Sequence, residues 1–374
     1  MSEDVTMLTY IRKTPEVVLK NIEERKSITK QLVDEYVNGG YKGITFVACG
    51  SSYNSCVTAR YFVRKYLKAE VKVVTPFTFI HHEHDYRDGM LTVNVSQSGC
   101  STNIIDCVLF EKQLGEKTIS LVGRKDCDVK KYSDLLIDWC VGEEKIGYAT
   151  IGVVTLVAYL MLFALEVSLT KGYINEDEYD RVLSEMRKAM EIQPHIIDET
   201  IEKYNKNKEK ITSCNCVYIV SSGANLGTAI EGSLKIAETN CIPCLAYEVE
   251  EYLHGPLYPV NPNTLLIFID NNEDESSKKI VDIAKRSEVA TDKVITVTNS
   301  EVINDDIAIR TSSETDQLVS PLYKLAVVET LAYLRSEDTN KYKPNERMLE
   351  FERQNKNLTK SRSDLYKDLQ GKNN

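Results

Sequence analysis

Positive charge is in short supply in this sequence. Lysine and arginine total 46 against 56 aspartates and glutamates, a formal net charge of -10. With no basic stripe to offset that balance, non-specific nucleic-acid binding is not expected. Trp139 and the 21 tyrosines have no basic partners with which to stack bases. A small anion is a different matter, because a local loop binds phosphate whatever the global sign. Histidine is scarcer still, at five residues, of which His81, His82 and His84 share the stretch "HHEHD". Adjacent ligands rarely satisfy tetrahedral geometry unaided, so that stretch reads as a polar loop, and neither metal nor cofactor is expected.

A disulfide framework is also lacking. The ten cysteines are scattered rather than regularly spaced, and the opening "MSEDVTMLTYIRKTPEVV" mixes charges where a signal peptide would be apolar. A reduced, cytoplasmic setting is the natural expectation. "CIPC", Cys241 to Cys244, has redox spacing but falls beyond a helix, not at an activating strand-to-helix turn. Cys49, Cys56, Cys100 and Cys107 read as small buried hydrophobes, with Cys100 the one to watch at a helix N-terminus. One long uncharged run occurs, Ile146 to Leu165. Gly147, Thr150, Gly152 and Thr155 dilute it and Glu166 closes it without a basic flank, so it reads as a buried central helix and not a membrane span.

What the chain does contain is an order of elements that occurs twice. "ITFVACGSSYNSCVTARYFVRKYL" and "VYIVSSGANLGTAIEGSLKIAE" each read as a buried strand, a turn and a helix. "LTVNVSQSGCSTNIIDCVLFEKQLG" pairs with "LLIFIDNNEDESSKKIVDIAKRS", "KTISLVG" with "DKVITVTN", and "DLLIDWC" with "DDIAIRT". Each half ends in an apolar helix, Thr150 to Ser168 and Pro321 to Leu334. Short apolar runs alternating with helical periodicity predict an α/β fold with parallel sheets flanked by helices. The expected organisation is an N-terminal helical segment (1–41), a first subdomain (42–172), a charged helical linker (173–210) broken at Pro194, a second subdomain (211–336) and a charged tail (337–374).

Chemistry concentrates at two places. In "VSQSGCST", Ser96, Gln97, Ser98 and Ser101 follow a strand and lead into a helix near Thr102, where N–H groups and the helix dipole favour an anion. Gly99 lets the backbone approach closely, and Ser52 in the neighbouring turn "CGSS" is a further donor. The equivalent turn of the second half, "DNNEDESS", carries Asp270, Glu273, Asp274 and Glu275, which would repel phosphate. The second half instead offers Glu231, Lys235 and Glu238 on one helical face, and His254 before a Gly-Pro turn. A carboxylate and an imidazole suit proton transfer on a sugar phosphate.

"CGSSYNS", "VSQSGCST", "AIEGSLKIAE" and "EVEEYLHGP", in that order between Lys42 and Leu334, resemble the double sugar isomerase (SIS) domain. In particular they resemble the isomerase half of glutamine–fructose-6-phosphate aminotransferase and the fructosamine-6-phosphate deglycases. The resemblance implies two tandem flavodoxin-like SIS subdomains and a homodimer with active sites at its interface. It assigns the phosphate to Ser52, Ser96, Gln97, Ser98, Gly99 and Ser101, the enolisation base to Glu238, and ring opening to His254 of the neighbouring subunit. Relatives often have Glu at Cys100 and Thr at Ser101. "NLTKS", Asn357 to Ser361, resembles a C-terminal segment whose lysine forms a Schiff base with the ketose; Lys360 is either that residue or a solvated tail lysine. No glutaminase half or N-terminal nucleophilic cysteine is expected.

The resemblance implies a sugar-phosphate enzyme shuttling a proton between C1 and C2. The leading expectation is a deglycase that converts a 6-phosphorylated ketosamine to glucose 6-phosphate and a free amine. The alternatives are an isomerising aminotransferase or aminosugar-phosphate isomerase using free ammonia, and a non-catalytic sugar-phosphate sensor.

Overall fold

A computed structural model describes residues 5–85, 89–142, 144–272, 275–339 and 342–355. Two sheets of five parallel strands organise it. In the first, β1 (Gly43–Val47), β2 (Glu70–Val74), β3 (Met90–Ser96), β4 (Ile119–Val122) and β5 (Leu135–Asp138) lie in the order β2-β1-β3-β4-β5. In the second, β6 (Cys216–Ser221), β7 (Cys244–Glu248), β8 (Thr264–Ile269), β9 (Val294–Val297) and β10 (Ala308–Ile309) lie in the equivalent order β7-β6-β8-β9-β10. This is the doubly wound, flavodoxin-like order, and both halves adopt it. Central strands β1, β4 and β8 are buried at every residue. That is why they read as unbroken apolar runs: helices cover both faces of a parallel sheet.

Each sheet has one strand more than the four paired in the sequence. Both additions, β2 and β7, are edge strands, partly exposed along much of their length. Half-exposed strands carry a weak apolar signal, which is how "EVKVV" and "CLAYE" escaped the pairing.

The compact unit around the first sheet comprises 20–144, 155–179 and the described residues from 345 onward. The unit around the second comprises the described residues up to Leu19, 145–154 and 180–344.

Most of the uncharged run lies in the helix Ile151–Thr170, which starts five residues after Ile146 and continues past Glu166. It is the one described helix long and apolar enough to cross a membrane, and its apolar stretch is wholly buried inside the protein. The helix Glu176–Lys206 continues through Pro194 instead of breaking there. A helix-interior proline costs about 3 kcal/mol, and the buried face holding Val182, Leu183, Met186, Met190, Ile196 and Ile197 offsets it. "HHEHD" is not a loop either. Phe79–Glu83 forms a π-helical turn, with the His81 ring 4.3 Å from Phe77 and the His84 ring 4.9 Å from Phe110. In the second unit the helices Asn225–Asn240 and Pro321–Asp338 pack closely. Gly232 permits this, since a Cβ there would lie 2.7 Å from that of Val328.

Candidate functional site

The first sheet reverses winding direction between its neighbours β1 and β3, the position where sheets of this order place a ligand crevice, at the carboxyl ends of the strands. The chain turns from β1 into the helix Gly50–Leu67, with Ser52 in its first turn, and from β3 through residues 97–101 into the helix Thr102–Gln113. Ser96 is buried and its Oγ lies 3.2 Å from that of Ser101. It also accepts from the Gly99 N–H at 3.2 Å, while Ser98 Oγ accepts from the Cys100 N–H at 3.1 Å. Ser101 is the N-cap, yet its side chain makes no capping bond. Gly99 is obligatory: its φ is +61°, and a Cβ would lie 2.6 Å from Cys127 Sγ. Five of the six expected phosphate ligands therefore share one turn, with Ser52 on the adjoining strand's helix.

Two charged residues at this turn escaped the sequence reading. Arg124, just past β4, donates from Nε to the Ser98 carbonyl at 3.4 Å, so the donors are not all neutral. Glu144 accepts from Gln97 Nε2 at 2.5 Å. The only sequence signal for either was its place just past a parallel strand, where loops gather at one edge. Cys56, Cys100 and Cys107 are buried as expected, but Cys49 is exposed.

The equivalent crevice between β6 and β8 is built differently. Asn271 Nδ2 donates to the Ser222 carbonyl at 2.9 Å and to Ser222 Oγ at 2.6 Å, and Asn225 Nδ2 donates to Asn271 Oδ1 at 2.9 Å. Side-chain amides thus stitch this turn to itself. For Asp270 the expected role, repulsion by a bare carboxylate, needs correcting. Asp270 is buried, accepts from Thr298, and pairs with buried Lys324 at 3.0 Å. Glu275 points to solvent, with its side chain 93% exposed. Glu273 and Asp274 lie outside the described residues.

Glu238 ends a buried charge ladder on the helix Asn225–Asn240. Lys235 Nζ lies 3.3 Å from Glu231 and 2.5 Å from Glu238, and only Glu238 of the three reaches solvent, with 31% of its side chain exposed. Burial pushes the Glu238 carboxyl above its ordinary value; the Lys235 charge and hydrogen bond pull it down, and Glu231 pushes it up. Burial works against the Lys235 charge, but Glu231, Glu238 and Glu329 outweigh it and keep the ammonium protonated. The result is a carboxylate of elevated basicity at the protein surface, held in place by one ammonium. His254 is exposed at the end of the helix Val249–Leu253, where its backbone N–H donates to the Glu251 carbonyl at 3.0 Å. Glu238 and His254 belong to the second-sheet unit and the serine turn to the first. Lys360 lies outside the described residues. Among the described residues, no group of three or more histidine, cysteine, aspartate or glutamate side chains is placed to hold a metal.

The chain is similar to glutamine–fructose-6-phosphate aminotransferases (isomerizing). It is 26% identical over 270 residues to that of Caldanaerobacter subterraneus, covering 72% of this chain and 42% of the relative. It is 26% identical over 345 residues to that of Fusobacterium nucleatum, covering 88% and 55%. The chain thus spans about half the length of these curated relatives. Its fold matches the C-terminal domain of glucosamine-fructose-6-phosphate aminotransferase from Francisella tularensis with a TM-score of 0.79 at 22% identity, covering 92% of this chain and all of that one. The SIS domain model matches twice, over residues 41–166 and 210–334, most of the chain and both sheets. This protein belongs to the SIS domain family.

Proposed function

We propose that the protein is a phosphosugar enzyme that moves a proton between C1 and C2 of a 6-phosphorylated ketosamine, acting as a deglycase. Ser52, Ser96, Gln97, Ser98, Gly99 and Ser101 hold the phosphate, and His254 assists ring opening. Glu238 removes a proton from C1, and C2 is reprotonated as the C1–N bond becomes an imine and the C2 carbonyl a hydroxyl. Water then adds to the imine and releases glucose 6-phosphate and the amine. The observation that supports this reading is the placement of Glu238. Its carboxylate reaches solvent, with 31% of the side chain exposed, and is held 2.5 Å from the buried Lys235 ammonium, while burial pushes its carboxyl above the ordinary value, in the direction that favours a general base. The amine arrives with the substrate, so no ammonia source is required. The family's dimer, with His254 supplied by the partner, and a cytoplasmic setting are part of this proposal.

The test is incubation with a panel of 6-phosphorylated ketosamines, reading glucose 6-phosphate by a coupled assay. Glu238→Gln is expected to lower turnover by roughly 10²- to 10⁴-fold while leaving ligand binding intact. A silent panel together with ammonia-dependent formation of glucosamine 6-phosphate from fructose 6-phosphate would replace the deglycase with an aminotransferase. Binding without turnover of any candidate would leave a sensor.

A further inference from the structure

The side-chain amide of Gln97 is held by a carboxylate. Gln97 leaves β3 with its backbone carbonyl accepting from the Gly123 N–H at 3.1 Å, and its Nε2 donates to Glu144 Oε2 at 2.5 Å. Glu144 is delivered to this edge by a turn that follows β5. Cys140 and Gly142 have φ of +62° and +79° there, and the Cys140 N–H donates to Asp138 Oδ1 at 2.8 Å. In an all-parallel sheet, β3, β4 and β5 end at the same edge, so residues far apart in sequence meet at one turn. On the other side of the same turn, the Arg124 guanidinium is anchored to the Ser98 carbonyl. Two consecutive residues of the serine turn are therefore held by opposite charges.

That arrangement bears on affinity. A phosphate oxygen accepting from Gln97 would sit about one hydrogen bond from the amide that the Glu144 carboxylate already grips, close enough for substantial like-charge repulsion. From this contact we infer that Glu144 is an affinity-setting residue of the anion turn, an internal carboxylate that competes with a phosphate for Gln97. Arg124 is its counterweight. A carboxylate so placed weakens the hold on any bare oxyanion, and a ligand must add contacts through its sugar to bind tightly. Opposing a competitor with a like charge is a recognised route to selectivity. This inference rests on reading Ser96–Ser101 as the phosphate site.

The experiment is calorimetric titration of the full chain with inorganic phosphate and with glucose 6-phosphate, in a buffer free of phosphate, with melting curves to confirm folding. Glu144→Gln keeps a hydrogen-bond acceptor and removes the charge, and is expected to bind inorganic phosphate about tenfold more tightly. Arg124→Gln is expected to bind it more weakly, by a similar factor. In a Ser96→Ala background the Glu144→Gln gain should disappear. Wild-type binding that Glu144→Gln leaves unchanged or weakens overturns the inference while sparing the anion turn. A gain that survives Ser96→Ala places the anion elsewhere and also overturns it. If the folded wild type and Glu144→Gln both fail to bind either ligand, the phosphate-site reading falls, and this inference with it.

Discussion

The two turns that follow the central strands β3 and β8 share a backbone and differ in where they keep charge. Gly99 lies three residues past the end of β3 with φ of +61°, and Asn272 lies three residues past the end of β8 with φ of +58°. The left-handed corner recurs with a different residue at each copy. Around Gly99 the neighbours are Cys127 and the serine hydroxyls, with Arg124 and Glu144 bonded to the flanking residues Ser98 and Gln97. Around Asn272 they are a buried ion pair and amides: Lys324 Nζ donates to Asn272 Oδ1 at 2.7 Å and to the Asp270 carbonyl at 2.7 Å. The scaffold thus recurs, while a handful of side chains leave serine hydroxyls at one corner, the proposed phosphate donors, and a buried ion pair with amides at the other. Fold and site are separable, as expected when function is grafted onto a common architecture.

The sharpest way to break this comparison is to remove the buried charge beneath the second corner. Lys324 and Asp270 have side chains 2% and 5% exposed. Lys324→Met would leave Asp270 buried without its counter-ion, which should cost about 3–5 kcal/mol of stability, read by denaturant unfolding. The change belongs to the second-sheet unit, so binding of inorganic phosphate by molecules that remain folded should be unaffected. A loss below about 1 kcal/mol would mean that the pair is not what holds the corner.

Exchanging the corner residues gives a smaller effect and tests the shared backbone directly. Asparagine tolerates the left-handed region better than most residues, so φ alone does not forbid Gly99→Asn. The obstacle is Cys127, whose Sγ would lie 2.6 Å from the new Cβ. Gly99→Asn should therefore cost about 1–3 kcal/mol and abolish phosphate binding. The reverse change, Asn272→Gly, keeps the conformation but loses hydrogen bonds with Lys324, Thr315 and Tyr323. It should cost a similar amount through unsatisfied buried groups and leave phosphate binding as it was. Equal loss of phosphate binding in both variants would erase the distinction between the corners.

The sequence made much of this legible, for identifiable reasons. The buried strands announced themselves because burial on both faces demands continuous apolar runs, and the serine turn because its glycine and hydroxyls fall where an apolar strand gives way to a helix. Glu238 and its ladder followed from helical spacing. The remainder depends on partners remote in the chain. Gln97 meets Glu144 47 residues on, Asn271 meets Ser222 49 residues back, and Lys324 reaches Asp270 across 54. No local pattern encodes such pairings. That is also why the carboxylates of "DNNEDESS" were read as a repulsive cluster when Asp270 is neutralised from another helix. Pro194 misled similarly, because a local helix-breaking rule was overridden by the face the helix buries.

The last separation between the units is in their response to acid. As the proposed base, Glu238 would have to be deprotonated to accept the C1 proton, so turnover should fall as pH drops through its pKa. Burial, helped by Glu231, holds that pKa above its ordinary value against the pull of Lys235. The acid limb of kcat/KM should therefore centre above the ordinary glutamate value of about 4.3, with the rate falling about tenfold per pH unit below it. Glucose 6-phosphate binding should not depend on Glu238, because the proposed phosphate donors all belong to the first-sheet unit; any change of binding with pH then comes from the phosphate itself and from the carboxylate that holds Gln97. Wild-type and Glu238→Gln binding, measured by calorimetry across pH, should therefore superimpose, whereas binding and turnover, the latter measured by the coupled assay, should weaken over different ranges on acidification. If they instead fall together, with Glu238→Gln shifting the binding curve as well, then Glu238 contributes to holding the ligand and the division of labour between the two halves is not the one described.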